Sequence, residues 1–458
     1  MQKEKAGKRK KAGALLFWLL LWQLAAFWTD NPLILVGPAE AFTALIRQAG
    51  EFSFWQAIAF SAGRIGAGFL LAFTAGFLAG GLASRFFFVR ELLALPLLLM
   101  KAAPVASLVI LILIWLGVEG LTRAITFLVV FPVIYQATLT GLASADAELL
   151  EMARVFRLSR WKRYLYIYRP AVYPSLRGSA RTAIGMSWKA GVAAEVIGIP
   201  DFSIGAKLYM AKIYFDTAEL FAWTAVIIFL SLCFEKFFLW ILNWLDRPFG
   251  GWLTGEPPVF SKPKTEASRN IVRVRGLCKS FSGEPVLDHL DLTWEAGKTY
   301  GLTAPSGTGK TTLFRILTGL EKADEGQVEI GSGVGNASGK GWSVVFQEDR
   351  LCPELTAEEN AQIAGGRAYL SEILPEESLS KKAGELSGGM RRRVAIARAM
   401  AADSEGILMD EPFSGLDEAA KENVMHYIKK HQRGRTLIFT THVREEFARM
   451  EVCRVDEI

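Results

Sequence analysis

Long uncharged runs constrain this chain more than any other feature. Ala12–Trp28 is seventeen residues with Gln23 as its one polar side chain, Ile65–Ala83 is nineteen residues without a charge, and Ala124–Ala145 is twenty-two without one. About 20 apolar residues in a helix cross the hydrocarbon core of a bilayer. The rest of the chain has a different character. Eleven of the thirteen Trp precede residue 253, whereas all four His follow residue 288. With 51% hydrophobic and 21% charged residues over 458 positions, the chain divides into a lipid-embedded half and a water-soluble half. That division excludes a disordered chain, a secreted disulfide scaffold and an ordinary cytosolic enzyme.

Three further spans complete a count of about six: Leu92–Val118, interrupted by Lys101 and Pro104; Ser175–Ile197; and Leu220–Leu245. The first span, Ala12–Trp28, ends in bulky Phe27 and Trp28, and the nearest small-x-small site is as far downstream as Ala39-Glu40-Ala41. It therefore reads as an uncleaved span rather than a signal peptide. Placing the N-terminus inside puts the loop with Arg85 and Arg90 in the cytoplasm. It does the same for the basic segment Arg154, Arg157, Arg160, Lys162, Arg163 and Arg169, as the cytoplasmic bias of basic residues demands. An even number of spans returns the C-terminal half to the cytoplasm. The expected domains are a basic arm (1–11), a transmembrane domain (12–249) whose basic segment at 148–170 faces the cytoplasm, a Gly/Pro-rich linker (250–270) and a soluble domain (271–458). Arg64, Lys101, Lys189 and Glu195 are candidates for lining a pathway, or for snorkelling and helix–helix ion pairs.

The formal charge of +6 does not imply nucleic-acid binding, because residues 1–11 carry +5 of it and the remaining 447 about +1. Cys233, Cys278, Cys352 and Cys453 are widely separated, with no C-x-x-C and no His at ligand spacing, and are expected as thiols.

The soluble half alternates short β-like runs (271–275, 344–346, 407–410, 437–440) with helical stretches, a parallel α/β pattern. Ala304-Pro-Ser306-Gly307-Thr308-Gly309-Lys310-Thr311-Thr312 follows one such run and precedes the amphipathic Leu313-Phe-Arg-Ile-Leu. Backbone N–H groups at a helix N-terminus suit phosphates, Lys310 suits the terminal pair and the Thr311 hydroxyl suits Mg²⁺. Ala304 stands where the usual pattern has Gly. Gly406-Ile-Leu-Met-Asp410-Glu411 is a buried strand ending in two carboxylates, Asp410 for the metal and Glu411 as general base for an attacking water. Leu386-Ser387-Gly388-Gly389-Met390 opens a helix and makes a second anion site.

With these motifs in place the chain resembles the ATP-binding cassette family. The resemblance implies that Phe281 stacks adenine, Gln347 links metal to transporter, Ser387–Met390 is the signature motif, Ser414-Gly-Leu-Asp417 crosses a dimer interface, and His442 senses the γ-phosphate. It implies ATP and Mg²⁺ as ligands, and a site completed by the signature of a facing cassette. The partner is then a second copy, giving a homodimer, or a close paralogue. The fold expected is an all-α transmembrane bundle of about six helices followed by an α/β P-loop NTPase domain.

Six spans and a cassette also describe a half-exporter. The discriminating segment is Glu151-Met152-Ala153-x3-Arg157-x9-Ile167-x-Arg169-Pro170, which resembles the coupling segment of bacterial importer permeases. Arg157 replaces the Gly of its turn and Arg169 a Leu. A non-Gly residue in a left-handed turn costs on the order of 1 kcal/mol, which raises the prospect of a rebuilt turn. Pro104-Val-Ala-Ser-Leu, Ile114-Trp-Leu-Gly117 and Trp188–Gly198 resemble permeases of the nitrate/sulfonate/taurine group. The implied activity is ATP-driven import of a small, anion-like solute across a bacterial-type cytoplasmic membrane, served by an extracytoplasmic substrate-binding protein. A half-exporter, or a membrane-tethered regulatory ATPase that does not transport, is the alternative.

Overall fold

The computed structural model describes residues 2–246, 272–303, 305, 308–330, 341–366 and 368–458, with backbone alone for 2–12, 15 and 330. The expected linker, 250–270, lies outside them. Two compact units divide the chain: Met1–Ser144 with Ala171–Pro248, and Ala145–Pro170 with Phe249–Ile458.

The first unit is helical: α1 (Gln2–Thr29), α2 (Pro38–Ala49), α3 (Phe52–Arg85), α4 (Phe87–Ala102) and α5 (Val105–Ala143). After α6 (Ala147–Val155), α7 (Arg160–Arg163) and a π-turn at Tyr164–Tyr168, the chain continues through α8 (Arg169–Gly198), α9 (Ile204–Ile213) and α10 (Thr217–Asp246). Helix α1 begins at Gln2 and so runs through the basic stretch ahead of the first span. Among the described residues, α3, α5 and α10 are long and apolar enough to cross a membrane, and Leu16–Thr29 is a shorter apolar helix. Helix α8, which holds the expected fifth span, is as long as α10 but carries Arg177, Arg181, Lys189 and Glu195. The expected third span is not one helix. Pro104 has no N–H and pushes Ala103 into extended backbone, so α4 ends there. Helix α5 is itself broken at Gly117 (φ 65, ψ −176), a conformation that needs glycine.

Small residues set the packing of this unit. A Cβ on Gly68 would lie 2.7 Å from Arg123 O, one on Gly76 3.0 Å from Phe131 O, and one on Gly80 2.7 Å from Thr138 Cβ. These three positions let α3 and α5 approach backbone to backbone. Of the four intramembrane charges singled out from the sequence, Lys101 and Lys189 are exposed. Arg64 and Glu195 are buried and tied to neighbours: Arg64 Nη2 to Glu119 Oε1 at 3.0 Å, and Glu195 Oε2 to Ser61 Oγ at 2.6 Å.

The second unit holds two sheets. An antiparallel sheet in the order β2-β1-β4 joins β1 (Val272–Phe281), β2 (Glu284–Trp294) and β4 (Glu325–Ile330). The other is wholly parallel, in the order β5-β6-β7-β3-β8, from β3 (Thr299–Thr303), β5 (Trp342–Val345), β6 (Gly406–Met409), β7 (Thr436–Thr440) and β8 (Arg454–Glu457). Strands β5, β6 and β7 are buried throughout, the continuous apolar pattern of strands covered on both faces. Helices α11 (Lys310–Leu317), α12 (Ala357–Gln362), α13 (Glu376–Leu379), α14 (Gly388–Ala401), α15 (Glu418–His431) and α16 (Arg444–Arg449) complete the unit. This is the helical region and α/β nucleotide-binding domain expected of the sequence. The α3–α5 packing makes a prediction: Gly68→Leu lowers the thermal midpoint by about 4 °C or more. Gly63→Leu, at a position with nothing within 4 Å of its Cβ, leaves it nearly unchanged.

A candidate nucleotide site in the second unit

Helix α11 begins at Lys310, directly after a turn that only glycine fits. Gly309 is left-handed (φ 99, ψ 6), and a Cβ there would meet Leu287 Cδ2 at 2.7 Å and Val286 O at 2.9 Å. Thr308 Oγ1 donates to Pro305 O at 2.8 Å. Lys310 is buried, Thr311 exposed and Thr312 half-buried. Ala304, Ser306 and Gly307 lie outside the described residues.

Parallel pairing of β6 with β7 brings Asp410, Glu411, Thr440 and His442 side by side at the strand tips. Asp410 is held from both sides. Thr311 Oγ1 donates to its Oδ2 at 3.0 Å, and Thr440 Oγ1 donates to its Oδ1 at 2.8 Å. Thr440 Oγ1 also accepts the Glu411 N–H at 2.9 Å. Glu411 is left-handed (φ 48), a strained conformation for a non-glycine residue, and its Oε1 stands 3.0 Å from His442 Nε2.

A residue without an assigned role in the sequence joins these parts. Arg392, in the first turns of α14, is buried and reaches four backbone carbonyls: Phe346 O (2.5 Å) and Gln347 O (3.2 Å) on one side, Asp410 O and Glu411 O (both 2.6 Å) on the other. It also pairs with Asp349 at 3.3 Å. Burial lowers the basicity of its guanidinium, and nearby carboxylates, Asp349 first, oppose the shift. Burial likewise raises the Asp349 carboxyl above its ordinary range. The signal in the sequence was Arg391-Arg-Arg just inside a helix N-terminus, where cations oppose the helix dipole and need another reason to be there. Arg398, fully buried, donates to Arg350 O (2.7 Å) and Asp349 O (2.9 Å) and so fixes the same loop.

Ser387 caps α14, accepting the Met390 N–H at 3.3 Å, and Ser387 and Gly388 are exposed while Gly389 is half-buried against Gly415. Asp417 is the N-cap of α15. Phe281, at the end of β1, is 45% exposed with Lys279 Nζ 5.2 Å above its ring. Gln347 is exposed and lines a cleft of about 380 Å³ with Asp146, Leu149, Arg350 and Arg391. Folding also brings Cys278, His289 and Glu325 together, with ligand atoms within 4.8 Å of one another, a proximity the linear spacing had hidden.

Residues 145–170 pack into this same unit. Asp146 caps α6, and Leu149, Met152, Ala153, Phe156, Leu158 and Ile167 share one core with Leu313, Phe314 and Leu317 of α11 and with Phe346. Glu151 receives Arg315 bidentately (2.9 and 2.7 Å) and Arg350 at 2.8 Å. The Arg315 hydrogen bonds hold its carboxyl below the usual range, against the opposing effect of burial. Lys162 Nζ donates to Ile363 O at 3.0 Å. The turn is kept rather than rebuilt: Arg157 takes the left-handed conformation itself (φ 51).

A helical membrane-type region followed by a parallel α/β nucleotide-binding domain defines the class. Residues 287–414 match the profile of ABC transporters, and residues 72–250 match that of the inner membrane component of binding-protein-dependent transport systems. The lipoprotein-releasing system ATP-binding protein LolD of Syntrophotalea carbinolica is 36% identical over 200 residues, 38% of this chain and 88% of that protein. The Nod factor export ATP-binding protein I of a Rhizobium species is 35% identical over 201 residues, 40% of this chain and 66% of its own. The spermidine/putrescine import ATP-binding protein PotA of Vibrio vulnificus is 34% identical over 203 residues, 40% and 53% of the two chains. The chain thus spans about two thirds of the Nod factor export relatives and half of the spermidine/putrescine one. It belongs to the ABC transporter family, with permease-type and ATPase domains in one polypeptide.

Arg392→Lys, which cannot span four carbonyls, lowers ATPase turnover by about tenfold or more, while ATP affinity changes by about threefold or less. A variant with full turnover would show that the clamp is dispensable.

Proposed function

We propose that the chain imports a small solute across a bacterial-type cytoplasmic membrane, driven by ATP hydrolysis in its C-terminal domain, and works as a pair of identical copies. The observation that carries this reading is the seating of Glu151 between Arg315, on the helix that Lys310 opens, and Arg350, beside Gln347. Any shift of α11 or of the loop after β5 is thereby transmitted to residues 145–170, and these continue into α5 and α8.

The site residues fit Mg²⁺ and ATP. A threonine hydroxyl and a carboxylate already in contact at 3.0 Å, with the Gln347 amide just past the end of β5, the strand paired with β6, are the hard oxygen donors that Mg²⁺ takes. Thr311, Asp410 and Gln347 would hold the ion, which when bound neutralises charge on the phosphates. Ser306, Gly307, Thr308, Gly309, Lys310 and Thr312 would hold the phosphates, with the Lys310 ammonium offsetting their charge, and the exposed Phe281 ring would take the base. Glu411 orients the attacking water and takes its proton. His442, 3.0 Å away, fixes that carboxylate. Thr440 and Arg392 pin the backbone on which it sits. Ser387, Gly388 and Gly389 would meet the nucleotide of a facing copy, and the exposure of Ser387 and Gly388 supports that pairing.

Among solutes, the resemblance of residues 104–117 and 188–198 to nitrate/sulfonate/taurine permeases supports a small anion. The match of residues 72–250 to the inner membrane component of binding-protein-dependent systems supports an extracytoplasmic binding protein as partner, with the N-terminus and the ATPase domain in the cytoplasm. Export is the second reading, favoured by the names of the Nod factor relatives. Against it stands docking through nine-residue α6 rather than through long cytosolic helices.

Uptake into proteoliposomes with a cognate binding protein tests the function. Lys310→Ala abolishes uptake, and Glu411→Gln retains an ATP-bound dimer with turnover reduced by about a hundredfold or more. Outward movement of solute, or uptake indifferent to Lys310, overturns import.

A further inference from the structure

The stretch between α8 and α10 concentrates backbone strain. Of the eleven non-glycine residues with left-handed φ among the described residues, three lie within seventeen positions here: Ile199 (φ 51), Phe202 (φ 51) and Phe215 (φ 55). Left-handed backbone is costly for β-branched and bulky side chains, so this stretch is held, not relaxed. It contains α9, ten residues long and too short to cross a bilayer.

Three buried polar side chains from α3 and α8 do the holding. Ser61 Oγ accepts the Ile204 N–H at 2.9 Å and donates to Glu195 Oε2 at 2.6 Å. The same Glu195 oxygen accepts the Gly205 N–H at 3.3 Å, so a carboxylate closes the N-terminus of α9, where negative charge is favoured. Arg64 donates to Asp201 O at 3.2 Å. A Cβ on Gly205 would come within 2.3 Å of Glu195 Cβ, so α9 presses on α8 where only glycine fits. Yet the clasp is incomplete, because Glu195 Oε1 is buried without a hydrogen-bond partner among the described residues. Replacing buried charged groups by apolar packing of similar volume is often neutral or stabilising, so tight packing alone does not account for this clasp.

We propose that residues 199–216 form a gate of the permease, clasped shut by Ser61, Arg64 and Glu195 and released during the ATP-driven cycle, with Glu195 as the positioning residue. The strained turns favour opening and the clasp favours closure, giving two arrangements that a small energy input exchanges. This rests on the transport reading above, and the test separates the two.

The test places a single cysteine at Ile204, fully buried in the clasped state. The carrier chain has its native cysteines replaced and sits in lipid nanodiscs, and the readout is labelling by a water-soluble maleimide. Labelling is slow at rest and rises about tenfold when ATP, Mg²⁺ and vanadate trap the protein. Glu195→Ala labels fast without nucleotide. Glu195→Gln keeps an acceptor oxygen for Ser61 and Gly205 and stays slow, and Ser61→Ala is intermediate, which covers a Glu195→Ala chain that fails to fold. Equal labelling in all states of a protein that hydrolyses ATP overturns the gate, as does Glu195→Ala or Ser61→Ala labelling no faster than the parent. If nucleotide changes nothing and ATP is not hydrolysed, while Glu195→Ala is still fast, the transport reading fails and the clasp survives.

Discussion

The active geometry of the second unit depends on one buried guanidinium. Arg392 receives no help from the helix that carries it, since a cation at a helix N-terminus is disfavoured. It is kept by four carbonyl oxygens, of which Glu411 O also accepts the Ser414 N–H at 3.1 Å. Hydrogen bonds from a charged donor contribute about 1.5–3 kcal/mol each, and stranding their acceptors costs a comparable amount. Because two of those oxygens belong to Phe346 and Gln347 and two to Asp410 and Glu411, the loops after β5 and β6 hold one relation to each other. The left-handed backbone of Glu411 persists on the same account.

Around that clamp the parallel sheet supplies direction. The ends of β6 and β7 place a carboxylate pair, a threonine and a histidine in one row, and the start of α11 brings the Thr311 hydroxyl to the same row. No single side chain in it is unusual. What is specific is that Asp410 accepts two hydroxyls from different elements, leaving its orientation no freedom.

Much of this was legible in the sequence. The strands containing Val344, Ile407 and Leu437 lie where their apolar runs put them, and Lys310, Asp410, Glu411 and His442 belong to motifs whose spacing reflects the chemistry. Arg157 was legible as a problem, and the structure shows that the turn keeps its shape and the arginine bears the strain. Other features were not legible. The interruption of the third span followed from Pro104, but the break at Gly117 reflects backbone geometry that hydropathy does not report. Arg392 lay within a run of three arginines in which nothing local marks the inward-facing one. The Ser61–Glu195 contact links positions 134 apart in the chain, and only close approach of α9 to α8 creates it.

Residues 145–170 belong to the ATPase unit by packing but sit inside the permease by chain order. In systems assembled from separate subunits, such a contact must be found by diffusion and can be shared among rival motors. Here covalent connection keeps the docking partner at high effective concentration. Stoichiometry is therefore written into the polypeptide, and the interface is released from any need to discriminate against foreign ATPases.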